Sequence, residues 1–402
     1  MPRIDYDVAI VGAGMVGAAL AQLLARADFK VAVLERDGLI EERDPAVHDA
    51  RVSAINPGSE RILAAAGVWD TIAGYRISPY VRMFVWDANS SGSIEFDSAE
   101  LGVTHLGTIV ENNLVAYALH QELLHAANVR VLAGVEVAAF DSVGDRVTLK
   151  LSDGAIIRAG VLVGADGAGS WVRKTLDIEI ESRDFGQLGI VSTVATELGH
   201  QQTAWQRFLS TGPLAFLPLA DGHCSIVWSC EQNTAAELMS RNDERFASGL
   251  ARAFEFKLGG VVEVGPRKTF SLRSSHARQY VGKRTALVGD AAHVVHPLAG
   301  QGVNLGFQDA AALAEVMIEA RSLNKDIGGE LTLRRYERWR KGENLVMYHA
   351  MNGIEKLFGT DQEFVSEVRG LGLRLTNAIG PLKSAFAHRA MGLSGDLSKF
   401  AG

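Results

Sequence analysis

The sequence predicts an α/β fold in which pieces of a parallel, helix-covered sheet are interleaved with a β-rich insertion and followed by C-terminal helices. Three observations predict it. An apolar strand, a glycine turn and a helix open the chain. Two further short apolar strands, near residues 161 and 285, each run into a glycine-rich turn of their own. Between residues 184 and 270 the hydrophobic residues recur mostly at strand spacing.

Residues 7–11 read as the first strand, 15–26 as a helix and 30–35 as a second strand. Val31, Ala32, Val33 and Leu34 show no alternation, the pattern of a strand buried on both faces. This opening is a βαβ unit. Over residues 81–97, Met83 and Val85 precede a Ser90-Ser91-Gly92-Ser93 turn and Ile94 and Phe96 follow it, which predicts an antiparallel hairpin. Helical spacing returns over 114–127, and strands are expected at 129–132, 147–151 and 161–163. The insertion should be mostly antiparallel, with one helix over 235–254 and a turn at Asp221-Gly222 between strands 215–219 and 224–228. A strand over 285–288 then leads through a second glycine-rich turn into a helix from about Val303, and helices fill the rest from residue 331.

Composition narrows the function classes. The 402 residues suffice for two lobes or one large interleaved domain with a substantial core, and 47% hydrophobic with 22% charged residues is ordinary for a soluble enzyme. A net charge of −7 argues against nucleic-acid binding, which needs a basic footprint. Cys224 and Cys230 fall on one expected strand, where six residues at about 3.3 Å each place them roughly 20 Å apart. A disulfide requires alpha carbons within about 7 Å. They are expected to be buried thiols of a cytosolic protein. The N-terminus shows no secretory apolar region, and no apolar run approaches the roughly 20 residues of a membrane span. A cytoplasmic protein, at most peripherally associated with a membrane, is the expectation.

Gly12-Ala13-Gly14-Met15-Val16-Gly17 joins the first strand to the first helix. In such a turn Gly12 permits the sharp bend, Gly14 lets a diphosphate approach the backbone, and Gly17 lets helix and strand pack closely. The helix start then offers unpaired N–H groups to the phosphates. Glu35 ends the second strand 18 residues after Gly17, near the spacing of an acid that binds ribose hydroxyls. This Rossmann-like unit implies a dinucleotide without separating NAD from FAD. The segment from Gly289 and Asp290 to Pro297, Leu298, Ala299, Gly300, Gln301, Gly302, Val303 and Asn304 makes the separation. An aspartate at a strand end can bond the ribitol chain that FAD has and NAD lacks. The loop that follows is poor in side chains and enters a helix, whose start can stabilise charge on a reduced flavin. His293 and His296 with Asp290 have a spacing that could suggest a metal site. However, Pro297 and the preceding strand deny all three a shared helix face, so no metal is expected.

These motifs, with Gly164-Ala165-Asp166-Gly167-Ala168-Gly169-Ser170-Trp171-Val172-Arg173 between them, resemble the class A flavoprotein aromatic hydroxylases, and within them the ubiquinone-biosynthesis branch. Arg51-Val52-Ser53-Ala54-Ile55-Asn56, Ile109-Val110-Glu111-Asn112 and Ser225-Ile226-Val227-Trp228-Ser229 are similar to the VisC-type 2-polyprenylphenol hydroxylases. The resemblance runs over essentially the whole chain. One departure is Asp28, where relatives commonly have glycine; aspartate tolerates left-handed geometry, so no functional consequence is expected.

The resemblance implies a p-hydroxybenzoate-hydroxylase-like arrangement. FAD-binding parts at 1–80, 101–183 and 273–330 would be interleaved with a substrate hairpin at 81–100 and a substrate domain at 184–272, before a helical region at 331–402. It implies FAD held by Gly12, Gly14, Gly17, Glu35, Arg36, Arg51, Asn112, Asp166, Gly167, Gly289 and Asp290, with residues 297–304 beside the flavin ring. NAD(P)H would be the electron donor and O2 the co-substrate. No catalytic base is identified. Phe216, Leu217, Leu219, Ile226 and Trp228 would form an apolar substrate lining or simply the core of the sheet, with Arg207 the nearest cation. Seven cations on the C-terminal helices, Arg369 among them, read as a solvated face; self-association or a ubiquinone-biosynthesis protein complex are the alternatives. The expected activity is hydroxylation of a polyprenylated phenol (2-polyprenylphenol 6-hydroxylase). Its rivals are a sister enzyme acting on a later methoxylated ring (3-demethoxyubiquinol 3-hydroxylase), an NAD-dependent dehydrogenase, and a non-catalytic prenyl-binding escort.

Overall fold

The computed structural model describes residues 5–42, 49–296, 302–359 and 363–402. Strand Tyr6–Val11 pairs in parallel with Val31–Glu35 on one side and Ile156–Gly164 on the other. Val129–Ala133 and Thr285–Leu287 extend this parallel core at its two flanks. Val8, Ile10, Val31, Val33 and Leu162 are fully enclosed, which is why their strands carry unbroken apolar runs. Helix Met15–Ala25 covers the sheet and packs against helix Gly302–Ser322. That approach depends on Gly306, where an added β-carbon would lie 2.5 Å from a Val16 methyl. Asp28 takes the left-handed conformation at φ 61°.

Among the described residues the second sheet has nine strands. Hairpin Arg82–Asp87 and Ser93–Asp97 forms its far edge and joins Thr203–Leu209 by a parallel pairing. Gly212–Pro218, Cys224–Glu231, Ile180–Thr196 and Lys268–Ala277 follow in antiparallel order. Both cysteines lie on Cys224–Glu231 as buried free thiols, and burial pushes them up to about 12 and about 11. The single helix expected over 235–254 is two, Gln232–Ser240 and Asp243–Ala253. The break has a local cause: the Asn242 side chain accepts from Arg245 N at 3.0 Å, and Asp243 and Glu244 complement the new helix start. A strand not anticipated, Val137–Val143, pairs with Arg146–Leu151.

Helices Glu330–Phe358, Glu363–Ala378 and Gly380–Ala390 close the chain over both sheets. Tyr336 Oη donates to Leu287 O at 2.7 Å, and the Glu337 carboxylate accepts from Tyr280 N at 2.8 Å. The solvated face expected of the cations fails at Arg369. It is buried and forms a two-pronged pair with Asp87 of the hairpin, at 2.9 Å on each arm. Among the described residues no helix is long and apolar enough to cross a membrane.

Candidate flavin site and adjoining cavity

The three glycines of the first turn do different work. Gly12 has φ 103°, and a β-carbon there would meet Ala165 O at 2.4 Å. At Gly17 it would meet Gly12 O at 2.1 Å. At Gly14 it would meet nothing within 4 Å, because this residue faces open space at the start of helix Met15–Ala25. That helix start has no side-chain cap, so its first N–H groups point at the same space. Such an open backbone turn can receive a diphosphate. Glu35 accepts from Ala13 N at 2.6 Å and from Asp37 N at 3.1 Å, which ties its carboxylate to the turn. Arg36 lies exposed beside Asp37, 3.0 Å away. His120, which the sequence did not single out, supports the turn from behind. Its Nε2 donates to Ala13 O at 2.7 Å while Nδ1 accepts from Ile40 N at 2.9 Å, and burial lowers its pKa.

A second loop meets the first. Gly289 adopts φ 59° and donates its N–H to Asp309 at 3.1 Å. The same carboxylate accepts from His293 Nε2 at 2.5 Å, Arg340 Nε at 2.9 Å and Asn344 Nδ2 at 2.9 Å. Burial alone would raise Asp309; His293, Arg340 and Asn344 outweigh it and hold the carboxyl at about 2. Asp290 lines the cavity instead, and its pKa is raised by burial against the opposing pull of His293 and Arg51. Gly302 and Val303, at the start of the long helix, also line the cavity. Pro297, Leu298, Ala299, Gly300 and Gln301 lie outside the described residues. His296 is buried edge-on to Phe185 with ring centroids 4.7 Å apart, and burial lowers it to about 4.

Between the loops and the second sheet lies a cavity of about 800 Å³. Its glycine end is lined by Gly14, Arg51, Asn112, Gly167 and Asp290. Asn112 accepts from Ser53 Oγ at 2.7 Å. Two expected binders are engaged elsewhere. The Asp166 carboxylate accepts from Ser170 Oγ at 2.5 Å, Trp171 N at 2.7 Å and Val172 N at 3.0 Å, thereby capping helix Trp171–Thr175. The buried Asn304 accepts from Asn56 N at 3.1 Å and donates to Ala54 O at 2.8 Å.

The far end of the cavity corrects the expected lining. Leu217 lines it, but Phe216, Ile226 and Trp228 point to the opposite face of the sheet and pack with Phe246 and Phe254 under the two helices. Leu219 packs with Tyr80 and Ala204 in a separate cluster. Because strand side chains alternate, the cavity face carries Ala215, Leu217, Ser225, Val227 and Ser229. Arg207 also faces away, donating to Ala253 O and to Glu255, each at 2.6 Å. The remaining wall comes from the hairpin and from the C-terminal helices, including Met347, Met351 and Ile354, which the sequence did not mark as site residues.

The open cradle at Gly14, with Asp290 and Arg51 lining the same cavity, fits FAD. Comparison with known proteins agrees. Residues 5–342 match the model of the FAD binding domain family. Ubiquinone hydroxylase UbiL of Rhodospirillum rubrum is 38% identical over 96% of this chain and 89% of its own. The 3-demethoxyubiquinol 3-hydroxylase of Escherichia coli is 36% identical over 98% of this chain and 100% of its own. The human mitochondrial ubiquinone biosynthesis monooxygenase COQ6 is 35% identical over 96% and 92%. Among solved structures, the fold is shared with Pseudomonas aeruginosa PqsL at TM-score 0.76 and 24% identity, over 92% of this chain and 100% of that one. Pseudomonas putida p-nitrophenol 4-monooxygenase PnpA shares it at TM-score 0.76 and 18% identity, over 97% and 99%. The chain belongs to the FAD binding domain family and is an FAD-dependent monooxygenase of the class A flavoprotein hydroxylases.

Proposed function

We propose that the protein hydroxylates the ring of a polyprenylated phenol ortho to its hydroxyl, as a 2-polyprenylphenol 6-hydroxylase of ubiquinone synthesis. One observation carries the reading: an apolar cavity of about 800 Å³ runs directly from the flavin cradle. With its glycine end given to FAD, the apolar remainder walled by Met83, Leu217, Val227 and Met351 suits an aromatic ring with part of a hydrocarbon tail. The ubiquinone-pathway names of the relatives support the substrate class. The division into interleaved FAD-binding and substrate parts, contact with other proteins of the pathway, self-association and peripheral membrane contact belong to the same reading.

Bound FAD, reduced by NAD(P)H, supplies activated dioxygen. The protein's own work is to bind, orient and exclude water. The Gly14 turn and the start of its helix would hold the diphosphate, and Asp290 would bond the ribitol chain. The apolar walls Met83, Leu217, Val227 and Met351 keep water from the reacting ring. The phenolic oxygen directs attack to the neighbouring carbon, and no side chain is assigned as a base.

A second reading, hydroxylation of 3-demethoxyubiquinol, is favoured by the 36% identity to the Escherichia coli enzyme of that name over its full length. Purified flavoprotein given NADPH and each ring compound separately decides between them by mass spectrometry of the products. Oxygen added to the 2-polyprenylphenol supports the first reading. Oxygen added only to the demethoxyubiquinol supports the second. Protein that neither holds FAD nor hydroxylates either compound would return the escort reading.

A further inference from the structure

We propose that Gln206 binds the phenolic hydroxyl and thereby orients the ring for attack, an assignment that rests on the phenol reading above. Gln206 sits on strand Thr203–Leu209 in register with Ala215, which pairs with Val227, which pairs with Val191. All four line the cavity, so they form one row across its floor. Three are small and apolar; only Gln206 can hydrogen-bond through its side chain.

The residue is 6% exposed. Among the described residues its amide has no hydrogen-bond partner, and it lines the cavity. A side-chain amide offers two donors and a two-lone-pair acceptor, and enclosed polar groups are nearly always paired. In an otherwise apolar row, the unfilled capacity points to a ligand that brings both a donor and an acceptor. A phenolic hydroxyl is such a group. The amide oxygen accepting the O–H leaves more electron density on the ring oxygen and on the carbons ortho to it, the position that must attack the activated oxygen. An uncharged amide also suits a neutral phenol.

The neighbours do not offer the same reach. Arg207, next in the chain, is turned to the other face and bonded there. Ser225 and Ser229 flank Val227 on the cavity face and are 2% exposed, with hydroxyls held close to the sheet. They serve as comparators.

The test uses FAD-loaded protein, a short-chain 2-prenylphenol and its O-methyl ether, which lacks the hydroxyl donor. Binding is read from the perturbation of the flavin absorption, and coupling from the hydrogen peroxide released per NADPH oxidised. Wild-type protein should bind the phenol about tenfold or more tightly than the ether. Gln206→Leu should keep wild-type FAD content, lose that discrimination, raise KM for the phenol and release more peroxide; Ser229→Ala, whatever it does to turnover, should keep the preference for phenol over ether. Should Leu impair folding, Gln206→Met has similar length and carries the same comparison. Discrimination retained in a folded Gln206 variant, or lost in Ser229→Ala alone, overturns the assignment while leaving the phenol reading intact. Wild-type protein that neither binds nor hydroxylates the phenol sinks the function itself.

Discussion

Asp309 and His293 form a pair closed to solvent, with Nε2 donating to the carboxylate at 2.5 Å and side-chain exposures of 0% and 1%. The same carboxylate holds Arg340 and the N–H of Gly289, so it links the loop that presents Asp290 to the long C-terminal helix. Asp309→Ala would leave the buried Arg340 without its counter-charge, a defect worth about 3–5 kcal/mol. The expected outcome is a lower denaturant midpoint together with FAD lost on desalting. Asp309→Asn, which keeps part of the hydrogen bonding, should lose less of both.

The glycine turn predicts two different failures from one type of change. Gly14→Val places its side chain in open space, so the variant should fold, keep its near-ultraviolet circular dichroism, and emerge colourless from desalting. Gly17→Val drives its β-carbon onto Gly12 O and should fail to accumulate as folded protein. A Gly14 variant with wild-type flavin stoichiometry would remove the diphosphate from this turn.

His276 and His296 are both held down to about 4, chiefly by burial. The unfolded chain takes up protons at these residues near the ordinary histidine pKa of about 6.5, while the native state does not. Stability should therefore be full above pH ~6.5 and fall as the pH drops toward 4, by on the order of 3 kcal/mol per histidine. Denaturant titrations across that window check it; His296→Gln should flatten part of the slope.

Arg369 and Asp87 tie the C-terminal cover to the hairpin. Arg369→Ala strands the Asp87 carboxylate, whose side chain is 1% exposed. A loss of about 3–5 kcal/mol in unfolding free energy is expected. Replacing both by similar-sized apolar residues should recover much of it.

What was readable in the sequence, and what was not, follows from geometry. The opening strand, glycine turn and Glu35 were readable because close backbone approaches at Gly12 and Gly17 admit only glycine, which fixes spacing at the level of letters. The floor of the cavity was misread because that sheet is covered on both faces. Phe216, Ile226 and Trp228 are as apolar as a binding lining, but their bulk fills the side under the helices. The cavity face carries the smaller Ala215, Ser225, Val227 and Ser229, and small size, rather than hydrophobicity, was the available signal. The helix break at Asn242 was visible in principle, as an Asn followed by two acids. The His293–Asp309–Arg340 cluster was not, since its members meet only when distant helices pack.

The parallel pairing of Arg82–Asp87 with Thr203–Leu209 joins strands that leave the ribosome about 120 residues apart. At about 5–20 residues per second, the hairpin's inner edge waits on the order of ten seconds for its partner. During that interval Phe84 and Trp86, later packed with Trp205, have no sheet to cover them. The nascent chain is then at its most vulnerable to association with other chains. Yield of this protein should accordingly depend more on chaperone supply and growth temperature than its final fold suggests.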